Sequence, residues 1–189
     1  METQNASNLK NQLRKSLTEQ RPTLHQDAGN GQNISRQLID LVTQLGAFSV
    51  AAHLPFGSEP DIDAFIKHCQ GKGIDLIMPR SNEDGSLSWF LWWGDTVPGI
   101  FGFNEPVGET ASLTDAEVVI IPALAADAQG NRLGKGKGFY DKALAGIQDS
   151  GIPVVAVIYD QELLELVPTE AHDAKVDYVV TPTKTLRIG

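Results

Sequence analysis

Val118-Val119-Ile120-Ile121-Pro122-Ala123-Leu124 is an apolar, β-branched run that ends in a proline and opens towards a glycine-rich segment. Four consecutive β-branched residues with no polar partner fit a strand covered on both faces, as in a parallel sheet. The segment that follows reads Gly130-Asn131-Arg132-Leu133-Gly134-Lys135-Gly136-Lys137-Gly138-Phe139-Tyr140-Asp141-Lys142. Phe139-Tyr140-Asp141-Lys142-Ala143-Leu144 then predicts the start of a helix. The order strand, glycine loop, helix places the loop beyond the carboxyl end of a strand, where open α/β sheets bind ligands.

Other runs extend the pattern. Phe48 to Leu54, Asp75 to Met78, Leu87 to Trp92, Val154 to Tyr159 and Asp177 to Val180 read as strands. Leu9, Leu13 and Leu17 recur every fourth residue and predict a helix over 7–20, with Lys10 and Arg14 projecting as a cationic edge. Residues 22–33 are polar and rich in breakers and read as a loop. Ile34 to Leu45, stopped by Gly46, and Asp61 to Gln70 read as helices. Glu162 to Leu166 reads as a helical turn, and 94–116 shows little periodicity. Short apolar strands alternating with amphipathic helices predict a three-layer α/β/α fold, Rossmann-like, with a mostly parallel or mixed sheet and helices on both faces. The expected organisation is one domain over 1–189.

The glycine loop matches neither the Walker pattern nor the dinucleotide fingerprint, since Lys135 and Lys137 are each followed by glycine. Its chemistry still suits a polyphosphate. Alternating glycines let successive N–H groups face one concavity, and a helix N-terminus adds partial positive charge. Residues 132–142 hold four of the fifteen basic residues and one of the twenty-four acidic ones, a local +3 against −12 for the remainder. A basic focus on an acidic body of net charge −9 fits one small anionic ligand and argues against general nucleic-acid binding. Asp141 beside the loop could hold a metal that bridges to phosphate.

At 189 residues, 41% hydrophobic and 21% charged, the chain has the composition of a soluble globular protein. No apolar run reaches the length of a membrane span, and the first residues lack a signal-peptide core, so a cytoplasmic location and no membrane partner are expected. Cys69 is the single cysteine. It excludes an intrachain disulfide and falls on the expected apolar face of a helix, as a core thiol. His53, within an apolar strand, reads as a satisfied core histidine.

Arg132-Leu133-Gly134-x-Gly136-x-Gly138-x-Tyr140-Asp141, with Lys10-x-x-Leu13-Arg14, Leu54-Pro55-x-x-x-Glu59, Gly102-x-x-Glu105-Pro106 and His172-Asp173-x-x-Val176-Asp177, resembles the 5-formyltetrahydrofolate cyclo-ligases, from about Lys10 to about Val180. The resemblance implies ATP- and Mg²⁺-dependent closure of 5-formyltetrahydrofolate to 5,10-methenyltetrahydrofolate, with release of ADP and phosphate. It implies Lys10, Arg14, Arg132 and Lys137 as catalytic groups. ATP would be held by Lys10, Arg14, Arg132, Leu133, Gly134, Lys135, Gly136, Lys137, Gly138, Phe139 and Tyr140. The folate would meet Arg14, Phe56, Glu59, Phe103 and Tyr140, with Glu59 on the pterin and Trp93 and Phe101 as further candidate walls. Asp141 and Asp173 would hold Mg²⁺. His172 would orient its loop, Arg80 would cap a strand end in preference to contacting the folate's glutamate tail, and the resemblance leans to a monomer.

This sequence departs from the family pattern at Lys135, often tyrosine, and at Phe139, which replaces the first of a tyrosine pair. Asn104 stands where proline is common. Ala125-Ala126-Asp127 stands where an aromatic often precedes the aspartate, an exchange expected to open the pocket wall. Two other readings compete. One is a non-catalytic relative that binds folate or ATP; it would be marked by loss of Lys10, Arg14, Asp141 or Asp173, and all four are present. The other is a sugar-phosphate isomerase or CoA-transferase-like protein, which fold analogy alone would permit.

Overall fold

A computed structural model describes residues 2–170 and 173–189. His172 lies outside the described residues. Eight strands form one sheet in the order β13-β12-β10-β7-β1-β2-β3-β6. Its centre is parallel: β10 (Val154–Val157), β7 (Val118–Pro122), β1 (Ser49–Ala51) and β2 (Asp75–Ser81) run together, with β12 (Tyr178–Val180) beside β10. The edges are antiparallel: β13 (Thr185–Arg187) on one side, β3 (Leu87–Leu91) and β6 (Glu109–Ala111) on the other.

The period-two pattern of the central strands builds both faces. Val50, Leu76, Met78, Val118, Ile120, Val155 and Val157 pack into one core with Leu38, Leu41 and Val42 of α2 (Ala28–Leu45) and Phe65, Ile66 and Cys69 of α3 (Asp63–Lys72). Ala51, Ile77, Val119, Ile121, Val154 and Ala156 face the other way, onto Leu144 of α4 (Phe139–Ala145), Ile147 and Leu113. Helices therefore cover both faces of a mostly parallel sheet, as the sequence pattern predicts. Cys69 lies fully in the core, where burial pushes its thiol up to about 12.

Several expectations are corrected. The expected loop over 22–33 is almost all helix. Helix α1 spans Glu2–His25 with Pro22 in its last turn, and α2 begins at Ala28. The Gln26 N–H bonds Pro22 O at 3.3 Å, and Asp27 caps α2 by accepting the Gly29 N–H at 3.0 Å. Gly31 is needed for close packing, because a Cβ there would lie 2.9 Å from Asp61 Cβ. Residues 94–116 hold β4 (Thr96–Pro98), β5 (Asn104–Pro106) and β6, strands too short to show a period. The glycine loop does not follow β7 directly. A hairpin of β8 (Ala125–Asp127) and β9 (Arg132–Leu133) intervenes, tied by Asp127, whose carboxylate accepts four hydrogen bonds, from the N–H groups of Gln129, Asn131 and Val167 and from the Asn131 side chain. The expected helical turn at 162–166 is a 3₁₀ turn over Asp160–Glu162 followed by β11 (Leu163–Leu164), which pairs with β8.

Helix α1 docks by an unusual face. Lys10, Arg14, Leu17 and Arg21 follow the three-four spacing of one helix side. Leu17 packs with Leu124, Leu133 and Val167. Leu9, expected on the apolar stripe, is exposed. Arg21 is buried: its Nε donates to Glu162 Oε1 at 2.6 Å, and Nη2 donates to Glu162 Oε2 at 2.9 Å and to the Ala123 carbonyl. Burial raises the Glu162 carboxyl above its ordinary pKa despite this partner. Removing one partner of such a pair strands a buried charge. Arg21→Ala is therefore expected to lower unfolding free energy by about 3–5 kcal/mol in urea titration. The double change Arg21→Met with Glu162→Leu should recover most of that. A loss below about 1 kcal/mol in the single variant, the range of exposed pairs, would show that the pair does not anchor α1.

Candidate active site

The chain leaves β1 towards β2 on one side and later returns to β7 on the other, so the sheet's switch point lies between β1 and β7. Beyond their carboxyl ends opens a cavity of about 590 Å³. Such crevices are where open α/β sheets bind ligands. His53, Leu54, Phe56 and Glu59 reach it from the segment after β1, Pro122 and Ala123 from the end of β7, and Lys10 and Arg14 from α1. Phe101, Phe103 and Glu105 come from the β4–β5 region, residues 132–141 from β9 through the start of α4, and Glu170 and Asp173 from the later loop.

The structure thus gathers the segments that sequence reasoning singled out. Lys10 is buried rather than on a solvated edge. Its Nζ pairs with Glu170 Oε2 at 2.7 Å and Asp173 Oδ2 at 2.6 Å. Arg14 Nε donates to Gly134 O at 3.0 Å, and its Nη1 to Asn11 Oδ1 at 2.8 Å. Arg132 Nη2 pairs with Asp141 Oδ1 at 2.5 Å, while its Nε finds no protein partner. Lys135 Nζ pairs with Glu59 Oε1 at 2.6 Å and lies 5.5 Å from the Phe56 ring centre. Lys137 Nζ stands 3.7 Å over the Phe101 ring. Phe56 and Phe103 pack with centroids 4.3 Å apart, and Phe139 meets Phe101 edge-on at 5.8 Å.

Cationic and aromatic groups therefore share one chamber. The loop turns at Gly136, where φ is +93°, and a Cβ there would come within 3.3 Å of the Arg14 guanidinium. Helix α4 begins at Phe139, as the sequence predicts, but has only seven residues, so the side-chain cations dominate over its dipole. Tyr140 is half-buried, and burial with nearby Glu59 raises its hydroxyl pKa, so the phenol stays neutral. Asp141 and Asp173 both act electrostatically on Arg132. Among the described residues no three His, Cys, Asp or Glu side chains converge as a metal cage. That donor set fits Mg²⁺, which takes one or two carboxylates and completes its shell with water and phosphate oxygens.

The structure corrects the expectations for Trp93, for Ala125-Ala126 and for His53, and it places Leu133 and Arg80. Trp93 is 64% exposed and does not line the cavity. Leu133 touches the cavity, but its side chain is part of the α1 core cluster. Ala125 and Ala126 are wholly buried away from the chamber, so the missing aromatic does not open its wall. Arg80 lies on β2 between two cavity-lining residues, Pro79 and Ser81, which strand alternation puts on the opposite face. His53 is buried but poorly satisfied, since neither ring nitrogen meets a partner of full hydrogen-bond geometry. Glu170 was not foreseen, since a lone acid after Pro168-Thr169 carries no periodic signal. Glu105 was read only as part of a motif. It is buried, accepts the Ser81 N–H at 2.9 Å and leaves Oε2 unpartnered in the cavity wall.

An open, mostly parallel sheet with a cation-lined crevice at its switch point defines a ligand-binding α/β protein. The model of the 5-formyltetrahydrofolate cyclo-ligase family matches residues 6–182. The chain is 32% identical over 184 residues to the 5-formyltetrahydrofolate cyclo-ligase of Mycolicibacterium smegmatis, covering 93% of this chain and 94% of that one. It is 30% identical to the Escherichia coli K12 protein of the same name, covering 86% and 93%. Among solved structures, Aquifex aeolicus 5,10-methenyltetrahydrofolate synthetase superposes with a TM-score of 0.81 at 29% identity, over 95% of this chain and 93% of that one. A synthetase from Mycoplasma pneumoniae, at 20% identity and a TM-score of 0.75, shares the fold. The chain belongs to the 5-formyltetrahydrofolate cyclo-ligase family, whose ligases serve folate one-carbon metabolism. No described helix is long and apolar enough to cross a membrane.

The Glu59 carboxyl offers a direct check of the site's electrostatics. Burial pushes its pKa up, but the pull of His53 and Lys135, with hydrogen bonds from Lys135 and the Phe56 N–H, outweighs burial and leaves it below the ordinary 4.5. A depressed carboxyl pKa adds stability above the ordinary value, lost as pH falls through the folded one. Carboxyl ¹³C titration should therefore place Glu59 below 4.5 and move it upward in Lys135→Ala. An unmoved titration would break the Lys135–Glu59 pairing.

Proposed function

We propose that this chain catalyses the ATP- and Mg²⁺-dependent cyclisation of 5-formyltetrahydrofolate to 5,10-methenyltetrahydrofolate, releasing ADP and phosphate. The observation that carries the reading is one chamber joining Arg14, Arg132 and Lys137 to Glu59 and the rings of Phe56, Phe101 and Phe103. A triphosphate suits the first group. A fused pterin with N–H donors along one edge suits the second.

The reaction follows from what each group can hold. A formyl oxygen on N5 is a poor leaving group. It attacks the γ-phosphorus as the bond to the ADP oxygen breaks. N10 then attacks the formyl carbon, loses its proton, and the carbon–oxygen bond breaks with phosphate departing. Such chemistry needs positioning and charge stabilisation more than a protein nucleophile. Cys69 cannot serve as one, being sealed in the core with its thiol pushed up to about 12. Lys10, Arg14, Arg132 and Lys137 would neutralise the phosphates. Glycines 134, 136 and 138, with Lys135, Phe139 and Tyr140, would wrap them. Asp141 and Asp173 would hold Mg²⁺, which neutralises charge on the phosphate oxygens. Their present partners, Arg132 and Lys10, would then turn to phosphate.

Adding ATP last to protein, 5-formyltetrahydrofolate and Mg²⁺ should produce an absorbance rise in the methenyltetrahydrofolate band. No rise with saturating ATP would overturn catalysis and leave a binding relative. Asp141→Asn should raise the Mg²⁺ concentration for half-maximal rate by about tenfold or more. An unchanged magnesium titration would remove Asp141 from the metal.

A further inference from the structure

His53 stands directly at the switch point, two residues past the end of β1, and is 4% exposed. It lines the cavity with Glu59 and Ala123. Neither ring nitrogen meets a partner of full hydrogen-bond geometry, although the ring makes a looser hydrogen bond with the Ile120 backbone. A buried polar atom without a good partner is costly, so a side chain with two such atoms calls for an explanation. A histidine held only for core volume could be exchanged for an aromatic hydrocarbon at a gain. This one faces the chamber instead.

The neighbours define what the ring can recognise. Glu59 is acceptor-only when ionised and meets Lys135 Nζ and the Phe56 N–H. It can take N–H groups of a ligand but cannot serve a ligand carbonyl or ring nitrogen. Burial holds the imidazole below its ordinary pKa against the opposing pull of Glu59, with Lys135 and Arg21 pushing the same way as burial. A neutral imidazole offers one donor and one acceptor together. The edge of a 2-amino-4-oxo pterin alternates donors and acceptors in just this manner.

We propose that His53 is a substrate-recognition residue that hydrogen-bonds the pterin edge beside Glu59, donating to a ring acceptor that the carboxylate cannot serve. The inference rests on the cyclo-ligase reading. It adds to that reading a specificity determinant of this chain, outside the motifs that carry the family resemblance.

Calorimetric titration of wild type, His53→Phe and His53→Gln, with 5-formyltetrahydrofolate and separately with Mg-ATP, tests it. His53→Phe keeps the ring volume and loses both nitrogens; it should weaken folate binding about tenfold or more and leave ATP binding within about twofold. His53→Gln, which keeps a donor and an acceptor, should bind folate more tightly than His53→Phe. In ¹⁵N-labelled wild type the His53 ring signals should move on adding 5-formyltetrahydrofolate and stay put with p-aminobenzoylglutamate, which lacks the pterin. That spectrum decides the matter even if His53→Phe fails to fold. Folate affinity in His53→Phe equal to wild type, or unmoved ring signals at saturation, would overturn the proposal while the cyclo-ligase reading stands. Wild type that binds ATP but not the folate would overturn both.

Discussion

The buried pair between Arg21 and Glu162 is the constraint on which the site depends. Helix α1 is mostly polar on its outer sides, and its one fully buried leucine, Leu17, is too little to fix a 24-residue helix. What docks it is a ladder of cations on one face. Arg21 enters Glu162 and the Ala123 carbonyl, one residue past the end of β7. Arg14 reaches the glycine loop, and Lys10 reaches Glu170 and Asp173. The buried end sets the helix against the sheet. Lys10 and Arg14 are then placed over the crevice by helix geometry, since residues 10, 14, 17 and 21 share one side. Stability and site geometry are therefore linked through the same helix.

The chamber is close to internally neutral as it stands. Lys10, Arg132 and Lys135 each meet carboxylates, while Arg14 and Lys137 are held by a carbonyl, an amide oxygen and an aromatic face. Buried cations paired in this way avoid the cost of an isolated charge. The same pairing keeps the cations extended into the crevice rather than folded out to solvent. Among the described residues, the buried side-chain polar atoms without a partner of good geometry belong mostly to residues of the chamber wall: His53 Nδ1 and Nε2, Glu105 Oε2 and Arg132 Nε. Ser35 Oγ is the exception, buried outside the cavity.

Much of this was legible in the chain. The central strands announced themselves because β-branched runs such as 118–121 and 154–157 fit only a sheet buried on both faces. The glycine loop and its cations were visible as local composition. Short edge strands such as 96–98 and 104–106 were not, because three residues cannot show a period and antiparallel pairing is a tertiary fact. The 22–33 segment misled because Pro22 and Gly31 count as breakers locally. One, Pro22, interrupts the hydrogen-bond ladder of α1 only in its last turn, with three helical residues after it. The other is where two segments touch too closely for a side chain. Lys10 misled in the opposite sense. An i,i+4 cation pair normally marks a solvated edge, and only Glu170 and Asp173, some 160 residues away in sequence, turn it inward.

The glycine loop shows the same dependence on distant residues. Read locally, alternating glycines suggest a flexible cradle of N–H groups. In the structure Gly136 has φ +93°, so a side chain there would face backbone strain and bring its Cβ to a tight 3.3 Å from the Arg14 guanidinium. The glycine is there so that an arginine from α1 can close onto the loop, and the Arg14 bond to the Gly134 carbonyl holds the two together. Such a loop is preorganised by contact with α1 rather than floppy by composition. Ordering it before ligand arrives removes part of the entropy cost that binding would otherwise carry. The chain thus invests its positive charge in a fixed geometry, set by a helix whose own anchor, Arg21, lies about two turns beyond Arg14.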